Sequence, residues 1–163
     1  MPRREDIQRI MILGSGPIKI GQAAEFDFSG SQACRALRAD GFEVILVNSN
    51  PATIQNDPEM ADRIYIEPLL PDVVRRILEI EKPDALLAGM GGQTALNLAS
   101  ALAHDGSLAR LGVELIGSNL ATIDEAEDRD LFKQVCEEVD LPVADAHACS
   151  SIEEVLLAAE RIG

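Results

Sequence analysis

Apolar positions recur along this chain in two alternating rhythms. Short apolar runs at residues 7–13, 42–47, 64–66, 85–88 and 113–116 are each bounded by charge, glycine or turn formers. That is the pattern of strands buried in a parallel sheet. Between the runs, apolar residues return at helical spacing. Ala33, Cys34, Ala36 and Leu37 form one such face, Val73, Val74, Ile77 and Leu78 a second, and Ala95, Leu98, Ala99 and Leu102 a third. Ser29, Gly30 and Ser31 supply N-cap candidates for the first helix, which is expected to run to about Asp40, where Gly41 stops it. Pro71 opens the second helix, where its missing N–H costs nothing, and Pro83 ends it. The stretch 48–58 is rich in turn formers and is not expected to be regular. Strands alternating with helices over about 120 residues predict an α/β fold: a Rossmann-like, doubly wound, mostly parallel sheet with right-handed crossovers.

The rhythm changes after Ser118. Thr122-Ile123-Asp124-Glu125 has the form of a capping box, predicting a helix that continues to about Val139 with Leu131, Phe132, Val135 and Cys136 on its apolar face. Leu141, Pro142 and Val143 interrupt it. Ser151-Ile152-Glu153-Glu154 is a second such box, opening a helix that carries Val155, Leu156, Ala159 and Ile162. A helix with no partner strand after it reads as the beginning of another domain. The expected division is therefore residues 1–120 and residues 121–163, the second part truncated and the whole a fragment.

Composition narrows the function. The chain has 163 residues, enough for one ordinary domain, and 47% of them are hydrophobic, enough for a sizeable core. Its formal charge of −14, from 28 acidic against 14 basic residues, removes the basic footprint that nucleic acid and anionic membranes require. No apolar run approaches the ~20 residues of a membrane helix. The first residues lack the apolar core of a secretory signal, so the expected location is cytoplasmic. Cys34, Cys136 and Cys149 show no metal or disulfide spacing, and the first two fall on apolar helix faces as core thiols. His104 and His147 have no ligand partners at metal spacing and are expected at the surface, so no metal site is predicted.

The candidate chemistry lies after the first strand. Gly14-Ser15-Gly16 suggests a dinucleotide loop, but four features withdraw that reading. The third glycine is displaced to Gly21, Pro17 removes an N–H from the cradle, and Glu25 and Asp27 bring negative charge. The second strand ends in Asn48, where an acid would hold a ribose. A Walker pattern and a G-x-S-x-G elbow are also absent. The turn Gly89-Met90-Gly91-Gly92, followed by Gln93 and Thr94, leaves two alternatives: an anion site at a helix N-terminus, or glycines that permit tight strand-to-helix packing.

The run GSGPIKIGQAAEFDFSGSQACRALRADGFEVILVNSNPATIQNDPEMADRIYIEP, with GGQTALNLA further on, resembles the start of the carbamoyl-phosphate synthase large subunits, over essentially the whole chain. The resemblance implies a pre-ATP-grasp domain followed by the truncated helical start of an ATP-grasp domain. It implies a ligase that makes carbamoyl phosphate from bicarbonate, glutamine-derived ammonia and two ATP, for pyrimidine and arginine synthesis. Magnesium or manganese would accompany the ATP, and a glutaminase small subunit and the remainder of the large subunit would be the partners.

By the same resemblance, Ile18, Ile20, Gln22, Ala23 and Glu25 line a passage for labile intermediates, and Arg129 contacts nucleotide phosphate. From the sequence alone Arg129 also fits a helix-surface ion pair with Glu125. The family's glycine-rich phosphate lid, other ATP contacts and metal ligands are expected beyond residue 163. No catalytic residue and no tightly bound cofactor is therefore expected within the chain, which alone should be inactive. Two other readings remain: a Rossmann-type nucleotide-binding module of another ATP-grasp ligase, and a non-catalytic interaction domain.

Overall fold

β1 (Arg9–Leu13) occupies the centre of the sheet, paired in parallel with β2 (Glu43–Asn48) on one side and β4 (Ala85–Leu87) on the other. β3 (Arg63–Ile66) continues beyond β2, and β5 (Glu114–Ile116) beyond β4, both also parallel. A computed structural model describes residues 3–17 and 23–162, the side chains of residues 23 and 24 excepted. The described residues form five strands in the order β3-β2-β1-β4-β5. The α/β, doubly wound, parallel sheet predicted from the rhythm is therefore the architecture observed.

Alternation along β1 divides the core. Met11 and Leu13 join Ile45 and Val47 against helices α2 (Pro71–Glu81), α3 (Gly92–His104) and α4 (Ser107–Leu111). Ile10 and Ile12 join Val44 and Leu46 against Cys34 of α1 (Ala23–Ala39). Leu78 and Leu102, wholly buried on the first face, each contribute roughly 1.5–3 kcal/mol by leaving water. Because the chain passes from the edge strand β3 back over the sheet to β4, the strand order reverses between β1 and β4. That reversal opens a crevice at the carboxyl ends of these two strands, where ligands of open α/β sheets bind.

Several boundaries differ from the expected ones for physical reasons. α1 is already helical at Ala23, six residues before Ser29. Ser29, Gly30 and Ser31 therefore lie inside the helix and do not cap it; Gly30 and Ser31 are buried, and a β-carbon on Gly30 would stand 2.7 Å from the Gln55 side chain. The turn-rich stretch holds one 3-10 turn (Ile54–Asn56), capped by Thr53, whose Oγ1 accepts from Gln55 N at 3.1 Å. α2 starts at Pro71 as predicted and ends in Lys82, at φ 47°, before Pro83. α4 has no counterpart in the sequence reading.

The chain divides into two compact units, Met1–Leu120 and Ala121–Gly163. In the later part, α5 (Leu120–Glu127) begins before Thr122, which is therefore inside a helix and not its cap. The true break is Asp128, whose Oδ1 accepts from the N–H groups of Asp130 and Leu131 at 2.9 Å and starts α6 (Arg129–Glu138). α7 (Ile152–Ile162) follows Ser151, whose Oγ accepts from Glu154 N at 3.3 Å. The reciprocal bond of that box lands one residue early, on Ser150, whose N–H donates to Glu154 Oε2 at 2.7 Å. Among the described residues, no helix is long and apolar enough to cross a membrane.

Candidate functional site

At the carboxyl end of β1 the ladder continues for one more bond, from Gly14 N to Val47 O at 2.8 Å. The next inward-facing N–H, that of Gly16, does not find the neighbouring backbone. It donates to Asn48 Oδ1 at 3.0 Å, and Gly16 adopts φ 72°, a left-handed conformation that glycine takes without strain. Asn48 is fully buried. It therefore cannot hold an exposed ribose, and the side chain that replaces the dinucleotide acid is turned inward to tie down the loop.

A second polar side chain completes the knot. Gln55, also fully buried, donates from Nε2 to Phe26 O at 3.1 Å, to Asp27 Oδ1 at 3.1 Å and to Ser15 Oγ at 3.3 Å. Ser15 Oγ in turn donates to Asp27 Oδ1 at 2.9 Å. The Asp27 carboxylate thus sits among neutral donors beside the glycine loop, where it repels a phosphate. Sequence reasoning noted Asp27 for its charge and did not find Gln55. A buried amide in a turn-rich segment carries no sequence signal of its own.

A cavity of about 140 Å³ lies between Ser15, Pro17 and Phe26 on one side and Gly91–Thr94 on the other. The glycines of that wall serve packing. A β-carbon on Gly91 would collide with the Gly14 carbonyl, and one on Gly92, at φ 66°, would stand 3.0 Å from the Phe26 ring. Gln93 Nε2 donates to Asn97 Oδ1 at 2.9 Å within the helix. Of the two alternatives for this turn, close packing accounts for Gly91, against the end of β1, and for Gly92, against Phe26 of α1.

Of the residues assigned to the passage by resemblance, Ile18, Ile20 and Gln22 lie outside the described residues. Ala23 is the first residue of α1 and Glu25 is exposed in its first turn. Arg129 is in the other unit, exposed, at the first position of α6. The alternative pairing with Glu125 is not formed: the two residues stand on either side of the Asp128 break, and among the described residues Arg129 has no ion pair. His104 and His147 are both exposed. Cys34 and Cys136 are buried, as read from their helix faces.

The family model of the carbamoyl phosphate synthase pre-ATP-grasp domain matches residues 6–125, most of the chain. The chain belongs to that family. It is similar over its whole length to the carbamoyl phosphate synthase large chains of Methanothrix thermoacetophila, at 56% identity, and Archaeoglobus fulgidus, at 59%. A large-chain N-terminal section from Aquifex aeolicus is 59% identical. The chain spans 15% of the length of the first two relatives and 29% of the third, and so corresponds to the N-terminal part of the carbamoyl phosphate synthase large chain. Solved structures share the fold at low identity. A biotin carboxylase domain of a single-chain bacterial carboxylase matches with TM-score 0.64 and 17% identity, over 94% of this chain and 34% of its own. The biotin carboxylase domain of Hydrogenobacter thermophilus 2-oxoglutarate carboxylase, solved with MgADP and bicarbonate, matches with TM-score 0.68 and 16% identity, over 98% and 34%.

Proposed function

We propose that this chain is the pre-ATP-grasp portion, with the helical start of the adjoining ATP-grasp domain from about residue 121, of a glutamine-dependent carbamoyl phosphate synthase. The observation that carries this reading is the family match over residues 6–125, together with full-length identity to large chains. In the whole enzyme bicarbonate is phosphorylated, ammonia displaces phosphate to give carbamate, and a second ATP phosphorylates carbamate. A glutaminase subunit supplies the ammonia in the cytoplasm, and magnesium or manganese accompanies the nucleotide.

Within that reaction the chain has two tasks. The segment that begins at Gly14 and reaches Glu25 supplies wall to the passage of the labile intermediates: Ile18, Ile20 and Ala23 leave an apolar bore, and Gln22 and Glu25 add polar groups. The loop chemistry supports this over a phosphate cradle, because Asp27 places a carboxylate beside it and Asn48 is committed to Gly16. The second task falls to Arg129, an exposed cation with no ion pair among the described residues, which is available to a nucleotide phosphate.

The test uses the full-length large subunit. Arg129→Ala removes a charge-assisted hydrogen bond worth about 1.5–3 kcal/mol, so bicarbonate-dependent ATP hydrolysis should fall by roughly tenfold to a hundredfold. Unchanged hydrolysis would remove Arg129 from the nucleotide site. The chain by itself lacks the rest of that site on this reading, and calorimetric titration should show no micromolar affinity for Mg-ATP.

A further inference from the structure

We propose that the bond between Asp40 and Gly41 is a site of spontaneous aspartate isomerisation, and that the folded protein leaves this site open while protecting the same dipeptide at Asp105 and Gly106.

An aspartate followed by glycine is readily attacked at its side-chain carbon by the next backbone nitrogen, because glycine has no side chain to hinder the approach. The chain contains two such pairs, Asp40-Gly41 and Asp105-Gly106. With the side chain in its acid form, the glycine nitrogen bonds to the aspartate Cγ. The hydrogen of that nitrogen and the carboxyl OH leave together as water, and a succinimide ring closes. Water then opens the ring. Attack at the former side-chain carbonyl restores aspartate, whereas attack at the main-chain carbonyl leaves isoaspartate, whose main chain runs through Cβ and Cγ. Only water leaves and enters, and nothing is oxidised or reduced.

The two pairs occupy the same kind of turn. Asp40 follows α1, Asp105 follows α3, and both are exposed. Gly41 and Gly106 take left-handed conformations, at φ 85° and 75°. Each glycine N–H is donated back to its helix, that of Gly41 to Arg38 O at 2.9 Å and that of Gly106 to Ala103 O at 3.1 Å. Ring closure therefore needs the turn to open in both places, and the backbone does not distinguish them.

The carboxylates do. At Asp105 both oxygens are engaged: Oδ1 accepts from Ser107 N at 2.8 Å and Oδ2 from Arg75 Nη2 at 2.6 Å. Hydrogen bonds from Ser107, and after them from Arg75, hold this carboxyl down at about 2, so its acid form is scarce. At Asp40 the side chain has no hydrogen bond or ion pair among the described residues. The cations nearby are committed elsewhere. Arg38 donates to the Glu59 carbonyl and pairs with Asp62, while Arg3 donates to the Gly41 carbonyl at 2.9 Å and lies over the Phe42 ring. When the end of α1 frays, the Asp40 carboxyl is free to meet the Gly41 nitrogen.

The experiment ages the full-length large subunit at neutral pH and physiological temperature, in native buffer and in denaturant. After proteolysis, isoaspartate is quantified by methyl transfer from labelled S-adenosylmethionine with an isoaspartyl carboxyl methyltransferase, and located by electron-transfer fragmentation of the peptides. In the folded protein isoaspartate should accumulate at Asp40 faster than at Asp105 by about fivefold or more, the factor that one ordinary hydrogen bond carries. In denaturant the two rates should converge. Arg75→Ala should raise the rate at Asp105 by about fivefold and leave that at Asp40 unchanged. Asp40→Glu, which lengthens the side chain and enlarges the ring to be closed, should remove the signal at that position. Equal rates in the folded protein, or isoaspartate at neither site, would refute the proposal. A difference that survives in denaturant would assign it to neighbouring sequence and refute the role of the carboxylate contacts. An Asp105 rate that Arg75→Ala leaves unchanged would refute that role too; if this variant does not fold, the comparison of native with denatured protein decides.

Discussion

The side-chain amide of Gln55 lies directly against Gly30: a β-carbon on that glycine would stand 2.7 Å from both Cδ and Oε1 of Gln55. Gly30 is inside α1, where alanine ordinarily stabilises by about 0.5–1 kcal/mol. Here the sign reverses, because Gln55 is fully buried and tied to Ser15, Phe26 and Asp27. Gly30→Ala is expected to destabilise the protein by about 1–3 kcal/mol. Adding Gln55→Ala removes the obstacle, so the pair should be less destabilised than the sum of the single changes. Denaturant unfolding of the four proteins measures this, and strict additivity would show that the two residues do not press on each other.

Asp105 predicts a feature of the acid limb. Hydrogen bonds from Ser107, and after them from Arg75 Nη2 at 2.6 Å, hold its carboxyl down at about 2, below the ordinary 3.8. The folded protein therefore binds this proton less tightly than the unfolded chain. The stabilisation is complete above pH 3.8 and is lost as pH falls toward 2. Asp105→Asn removes that titration, so stability should decline less steeply with acid between about pH 4 and pH 2. An unchanged slope in a pH series of unfolding midpoints would show that Asp105 is not held in this way.

Burial pushes the Cys34 thiol up to about 11, so almost none of it is thiolate at neutral pH. Cys149 is half-buried, and among the described residues its Sγ reaches a backbone carbonyl, that of His147. Brief alkylation of the folded protein, read by peptide mass spectrometry, should label Cys149 and spare Cys34 until denaturant is added. Equal labelling of the two under native conditions would contradict the buried position of Cys34.

The strands were legible because each face of the sheet is apolar. Met11 and Leu13 cluster with α2, α3 and α4, and Ile10 and Ile12 with α1, which leaves runs without polar alternation. Helix ends were less legible where a local signal competed with a distant contact. Ser29, Gly30 and Ser31 resemble a cap, yet they lie inside α1, and the absence of a side chain at Gly30 answers to Gln55, on a different segment. Thr122-x-x-Glu125 has the spacing of a box, but Asp128 has the oxygen that meets free N–H groups. α4 is five residues between Gly106 and Gly112, both in left-handed conformations, too short to show a period. Asn48 was legible as a missing acid. What it does instead depends on Gly16, and spacing alone does not reveal that bond.

Ala23 opens α1 immediately after the loop, and its replacement by phenylalanine in the full-length enzyme tests the central claim most directly. On the proposed passage reading a phenylalanine ring at position 23 obstructs the bore, so both ammonia-dependent and glutamine-dependent carbamoyl phosphate synthesis should fall by about tenfold or more. Bicarbonate-dependent ATP hydrolysis should persist. If both syntheses continue unchanged, this stretch is not part of the passage, and the account of the loop is wrong.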